Sequence, residues 1–92
     1  MKYIILVSSV LFVVIGCAGN PNSSLAKQCN TGLNTAYEEL DYANTHGFAG
    51  TVEYTKAASL LGAAKVQLEF GKYPNCIDKV NRARAYIKKS QQ

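Results

Sequence analysis

The chain has no tryptophan, a single histidine, three cysteines and only six carboxylate side chains in 92 residues. Each shortage removes a class of chemistry. Two thiols beyond Cys17, plus one imidazole, fall short of a structural zinc set, so no metal site is expected. A histidine acting with a nucleophile also needs an orienting group, and nothing around His46 supplies either partner. No phosphate-cradling glycine loop, serine elbow or metal-binding spacing occurs. Past residue 20 no segment alternates apolar and polar residues with a period of two, which argues against half-buried strands. The acids Glu38, Glu39 and Asp41 could serve as acid and base only where their surroundings split their pKa values. Glu38 and Asp41 fall three apart, on a helix side away from Leu33, Ala36 and Leu40, the position of a solvated face. The expectation is a binding protein with no cofactor, and no enzyme.

What is present begins with Met1-Lys2-Tyr3 and an apolar run to Ile15. One positive charge followed by roughly 13 apolar residues has the proportions of a signal-peptide core. As a helix this run spans roughly 20 Å, against about 30 Å for a bilayer's hydrocarbon core. Cleavage is therefore favoured over permanent insertion. The run ends in Val14-Ile15-Gly16-Cys17, which resembles the lipobox of bacterial lipoproteins. Gly16 is the small residue that lets a peptidase reach the bond; Ile15 departs from the small residue commonest at its place. The resemblance covers residues 1–17 and implies processing and location alone. It makes 1–16 the leader and Cys17 the lipidation site, carrying diacylglyceryl on sulfur and an acyl chain such as palmitate on its amino group. At about 0.8 kcal/mol per buried methylene, several chains anchor where one does not. Ala18, where some lipoproteins carry Asp, implies sorting to the periplasmic face of the outer membrane in enteric-type bacteria. Gly16-Cys17-Ala18 also reads as a small-x-small site, which would yield a free periplasmic protein.

The remaining stretch, 17–92, is one small domain at most. Residues 18–24 are small, polar and turn-forming, as in a flexible tether, leaving 25–92 to build a core of marginal size. Cys29 and Cys76 are the two thiols left, and an exported domain meets an oxidising compartment. A bridge between them would close a loop of about 48 residues, contributing about 4 kcal/mol in the chain-entropy model. Two separate buried thiols are the plainer alternative.

The periodicity predicts three helices. The first starts near Ser23 or Ser24 and carries Leu25, Cys29, Leu33, Ala36, Leu40 and Ala43 at intervals of three and four. Tyr37 widens that stripe, and His46-Gly47 closes the helix. Thr51 caps the second, whose face runs Tyr54, Ala58, Leu61, Ala64 and Leu68, thickened by Ala57, Leu60 and Ala63, with Gly71 as its stop. The third begins at Tyr73-Pro74, since proline suits a first turn. Its stripe is Cys76 or Ile77, then Val80, Ala83 and Ile87, and Ser90-Gln91-Gln92 should fray. Short connections favour antiparallel neighbours, giving an all-α, up-down-up three-helix bundle. That topology places the starts of helices one and three at one end, where Cys29 and Cys76 would have to meet.

Residues 57–90 include Gly71-x-Tyr73-x-x-Cys76-x-x-x-Val80-x-x-Ala83, which is similar to the turn and second helix of a tetratricopeptide repeat. Cys76 and Ala83 match its small positions, whereas Val80 replaces an aromatic. No second copy follows at the repeat period, so no array is implied.

Six cations crowd into residues 72–92 against Asp78 alone. A cationic face on helix three could dock acidic partners of the envelope, and five tyrosines (Tyr37, Tyr42, Tyr54, Tyr73 and Tyr86) could supply contact area or fill core gaps. Tyr73, Arg82 and Tyr86 are the candidate partner-binding residues. An exported, anchored domain has no access to nucleic acid, so the basic patch does not point there. The expected partners are the lipid bilayer, through Cys17, and an envelope protein. Two roles fit: an adaptor or accessory subunit, or a pilotin-like chaperone for an outer-membrane secretion component, which would hold a partner helix in an apolar groove.

Overall fold

A computed structural model of the protein describes residues 20–92. The expected leader and Cys17 lie outside the described residues. Three helices follow one another, α1 (Ser24–Thr45), α2 (Val52–Glu69) and α3 (Tyr73–Ser90), and no strand occurs among the described residues. The molecule is an all-α bundle, and none of these helices is long and apolar enough to cross a membrane.

The helix ends follow from local chemistry. Ser23 Oγ accepts the Ala26 N–H at 3.1 Å, and Thr51 Oγ1 accepts the Tyr54 N–H at 3.1 Å, each satisfying a donor that the helix itself leaves free. Both α1 and α2 end in the same six-residue closure. Gly47 at φ 86° and Gly71 at φ 73° take the left-handed conformation that side chains resist. The Phe48 N–H then reaches Ala43 O at 2.9 Å, and the Lys72 N–H reaches Gln67 O at 2.8 Å. α3 has no side-chain cap; Pro74 sits in its first turn, where a missing N–H costs nothing.

Before α1, the Ser23 N–H donates to Asn20 O at 3.1 Å and Asn20 Oδ1 accepts the Asn22 N–H at 3.0 Å. The last residues of the expected tether therefore form a turn that leads straight into the cap.

The core runs along the bundle axis as Cys29, Leu33, Ala36, Leu40 and Ala43 from α1, Ala57, Leu61 and Ala64 from α2, and Cys76, Val80, Ala83 and Ile87 from α3. α2 and α3 share the largest interface, where Ala57, Ala64, Cys76 and Ala83 keep the two helices close. α1 meets α3 at Gly32, whose missing side chain makes room for Val80. Cys29 and Cys76 are disulfide-bonded, with Cα atoms 5.7 Å apart. The bond fastens the start of α1 to the start of α3, so the chain goes up, down and up.

Three expectations change. Leu25 is exposed, and Ala26 takes the buried place one residue on, because α1 presents the 26–29–33–36–40–43 line to its neighbours. The centre of the α2 stripe lies on Ala57 rather than Ala58. Ser90 does not fray: it is buried inside α3 and its hydroxyl donates to Ile87 O at 2.6 Å.

Candidate functional site

The α2–α3 interface is filled by small residues low down and opens into a groove at the end away from the disulfide. The first half of α2 and the second half of α3 form its walls. Val52, Thr55, Lys56, Ser59 and Leu60 line one side, and Arg82 and Tyr86 the other, around a space of about 490 Å³. Arg82 and Tyr86 are four residues apart, so one helical face presents both. Lys56 Nζ stands 5.4 Å from the centre of the Tyr86 ring, within the range of a cation–π contact across the two helices.

The groove's chemistry is one-sided. Two cations, an aromatic face, the hydroxyls of Thr51, Thr55 and Ser59 and the apolar Val52 and Leu60 line it, and no carboxylate does. Arg82 has a neighbour in Asp78, one turn back on α3, at 3.7 Å. Both side chains are well exposed, and such a pair contributes about 0–1 kcal/mol. An arriving carboxylate that forks onto the guanidinium can readily displace it. The positive end of the α2 dipole lies at the same rim. The chemistry of such a surface is complementary to an anionic group with an apolar or aromatic neighbour.

A second depression, about 370 Å³, lies between α1 and α3 and is lined by Glu38, Glu39, Tyr42, Arg84, Ile87 and Lys88 among others. One pair of its charges is already matched. Arg84 Nε donates to Glu39 Oε1 at 2.7 Å and Arg84 Nη2 to Oε2 at 3.1 Å, a bidentate fork. Hydrogen bonding to Glu39 and its charge together raise the Arg84 pKa. Arg84 is thus engaged with α1 and does not belong to a free cationic face.

Of the three residues expected at a partner surface, Arg82 and Tyr86 come together and Tyr73 does not. Tyr73 is only 7% exposed, at the start of α3 and the opposite end of the bundle. Its side chain is buried three residues before Cys76 and offers little surface to a partner. The other tyrosines divide: Tyr54 and Tyr86 pack partly into the core, while Tyr37 and Tyr42 are exposed. Tyr42 stacks on His46 at 4.0 Å, and the His46 ring bonds Tyr42 O through Nδ1 at 2.8 Å, a helix-end arrangement.

Lys56 and Val52 were not singled out from the sequence, and Leu60 was read there only as part of the α2 core stripe. A signal for them exists in α2, which carries Val52 and Val66 outside its core stripe and ends on exposed Phe70. α2 is consequently apolar on more than one side, unlike α1 and α3. Comparison with protein-family models, curated proteins and solved structures finds no match.

Proposed function

We propose that this is an exported lipoprotein, anchored through acylated Cys17, that works by protein binding as an envelope adaptor or accessory subunit. The α2–α3 groove would be its contact surface, receiving an acidic segment of an envelope protein that also offers an apolar or aromatic side chain. The observation carrying this reading is the convergence of Lys56, Arg82 and Tyr86 beside Val52 and Leu60, with no carboxylate in the lining. In this scheme Arg82 forks onto a carboxylate, Lys56 adds charge, and Tyr86 gives a flat face of low entropic cost. The anchor confines the domain near its membrane partner and raises effective concentration. A pilotin-like chaperone needs an apolar bed for a helix, which Val52, Leu60 and Tyr86 would serve; the cations Lys56 and Arg82 support the adaptor.

The test is photo-crosslinking in intact cells from a reactive residue at Ser59, inside the groove, and at Asn34, exposed on α1. One defined product from Ser59, weakened by Arg82→Glu and by Cys17→Ser, is expected. Equal products from both positions, or none from Ser59, would remove the groove from the reading.

A further inference from the structure

The groove lies at one end of the bundle, and the opposite end has a different surface chemistry. The disulfide brings together the start of α1 and the start of α3, and Gly71 and Lys72 join α3 to the end of α2. This end therefore holds Leu25 in the first turn of α1, Val66 in the last turn of α2, and Phe70 at the α2–α3 turn. All three are open to solvent, at 44%, 47% and 64%. Lys27, Lys65 and Lys72 are exposed in the same end segments, which also carry the carboxylates Glu69 and Asp78.

The chain also enters at this end. Because the turn at Asn20 is hydrogen-bonded into the Ser23 cap, only three peptide steps separate it from Cys17. Those steps reach at most about 10 Å. A lipid on Cys17 would hold this end within about 10 Å of the bilayer.

We infer that the disulfide end is a membrane-docking surface: Phe70 and Leu25 enter the interfacial layer while Lys27, Lys65 and Lys72 meet anionic lipid head groups. This rests on the anchored reading of Cys17. An exposed aromatic on a tight turn, an aliphatic neighbour and a lysine fringe are the makings of interfacial binding. The lysines complement an anionic surface, which a second copy of the same cationic end would not. Docking also sets orientation. Val52 stands about 27 Å along α2 from Phe70, so the groove would face away from the bilayer and toward a partner.

The absence of tryptophan makes the test direct. Phe70→Trp places a lone reporter at the docking end, and Val52→Trp places one at the far end. Each full-length variant is purified from membranes, its acylation read by mass, and reconstituted into phosphatidylethanolamine vesicles containing phosphatidylglycerol. The expected result is emission shifted to shorter wavelength and quenched by brominated acyl chains for Phe70→Trp, with Val52→Trp staying water-like. Added salt and the Lys27, Lys65 and Lys72→Gln variant should both weaken the quenching. Acylated protein with water-like emission at both positions overturns the docking surface and leaves the anchor standing. A shift that needs no lipid and grows with protein concentration assigns the surface to a second copy and overturns it also. Protein without acyl mass on Cys17 removes the anchored reading and the docking surface together.

Discussion

Gly32 of α1 lies so close to Val80 of α3 that a Cβ on the glycine would stand 3.0 Å from Val80 Cγ1. Val80 is buried and β-branched, with few ways to turn aside. The gain in helix propensity from replacing a mid-helix glycine is set against overpacking here, and the overpacking wins for any side chain larger than a methyl. Gly32→Val should destabilise the bundle by about 1–3 kcal/mol. In a domain of this size each kcal/mol moves Tm by about 4–8 °C, which a circular-dichroism melt resolves. An unchanged melt would mean that α1 and α3 can part without loss.

Gly62 gives the opposite case. It sits inside α2, exposed, with nothing within 4 Å of the place its Cβ would occupy. Only the backbone-entropy term remains, so Gly62→Ala should stabilise by about 0.4–1 kcal/mol. The two glycines differ in sign for one reason: Gly32 faces another helix and Gly62 faces water.

Removing the Cys29–Cys76 bond frees a segment of 47 sequence positions in the unfolded chain. A Cys29→Ala, Cys76→Ala double variant should lose about 2–5 kcal/mol, a large share of the 5–15 kcal/mol typical of a domain. Reductant should lower the melting temperature of the parent and leave that of the variant where it is. A parent indifferent to reductant would count against a stabilising bridge.

The Arg84–Glu39 fork spans 45 positions in sequence and ties α1 to α3. Both side chains remain partly exposed, so solvent screens the pair. A double-mutant cycle with Arg84→Ala and Glu39→Ala should give a coupling of about 0.2–1 kcal/mol, falling as salt is added. A coupling well above that range would show the pair to be more shielded than its exposure indicates.

The local features were legible in the chain itself. Ser23 and Thr51 cap, Gly47 and Gly71 terminate, and Pro74 opens a helix because each acts through bonds and torsions within its own few residues. The three stripes were readable for a similar reason: periodicity reports which side of a helix is apolar. The Cys29–Cys76 pairing joined this group because topology put both thiols at one end.

Periodicity alone leaves open the angle at which each helix meets its neighbours. A rotation of one residue is enough to move burial from Leu25 to Ala26, or the α2 centre from Ala58 to Ala57. Tyr73 and Tyr86 look alike in the sequence, yet packing buries one at the start of α3 and leaves the other at a groove. Lys56 gained its place only because α2 sets it beside Tyr86, and Arg84 left the cationic face only because Glu39 stands opposite. Caps and apolar stripes are properties of single segments, which is why the sequence by itself determined three helices and their ends. A groove, an ion pair between helices and an exposed end are relations between segments far apart in the chain, so only the tertiary structure could decide them.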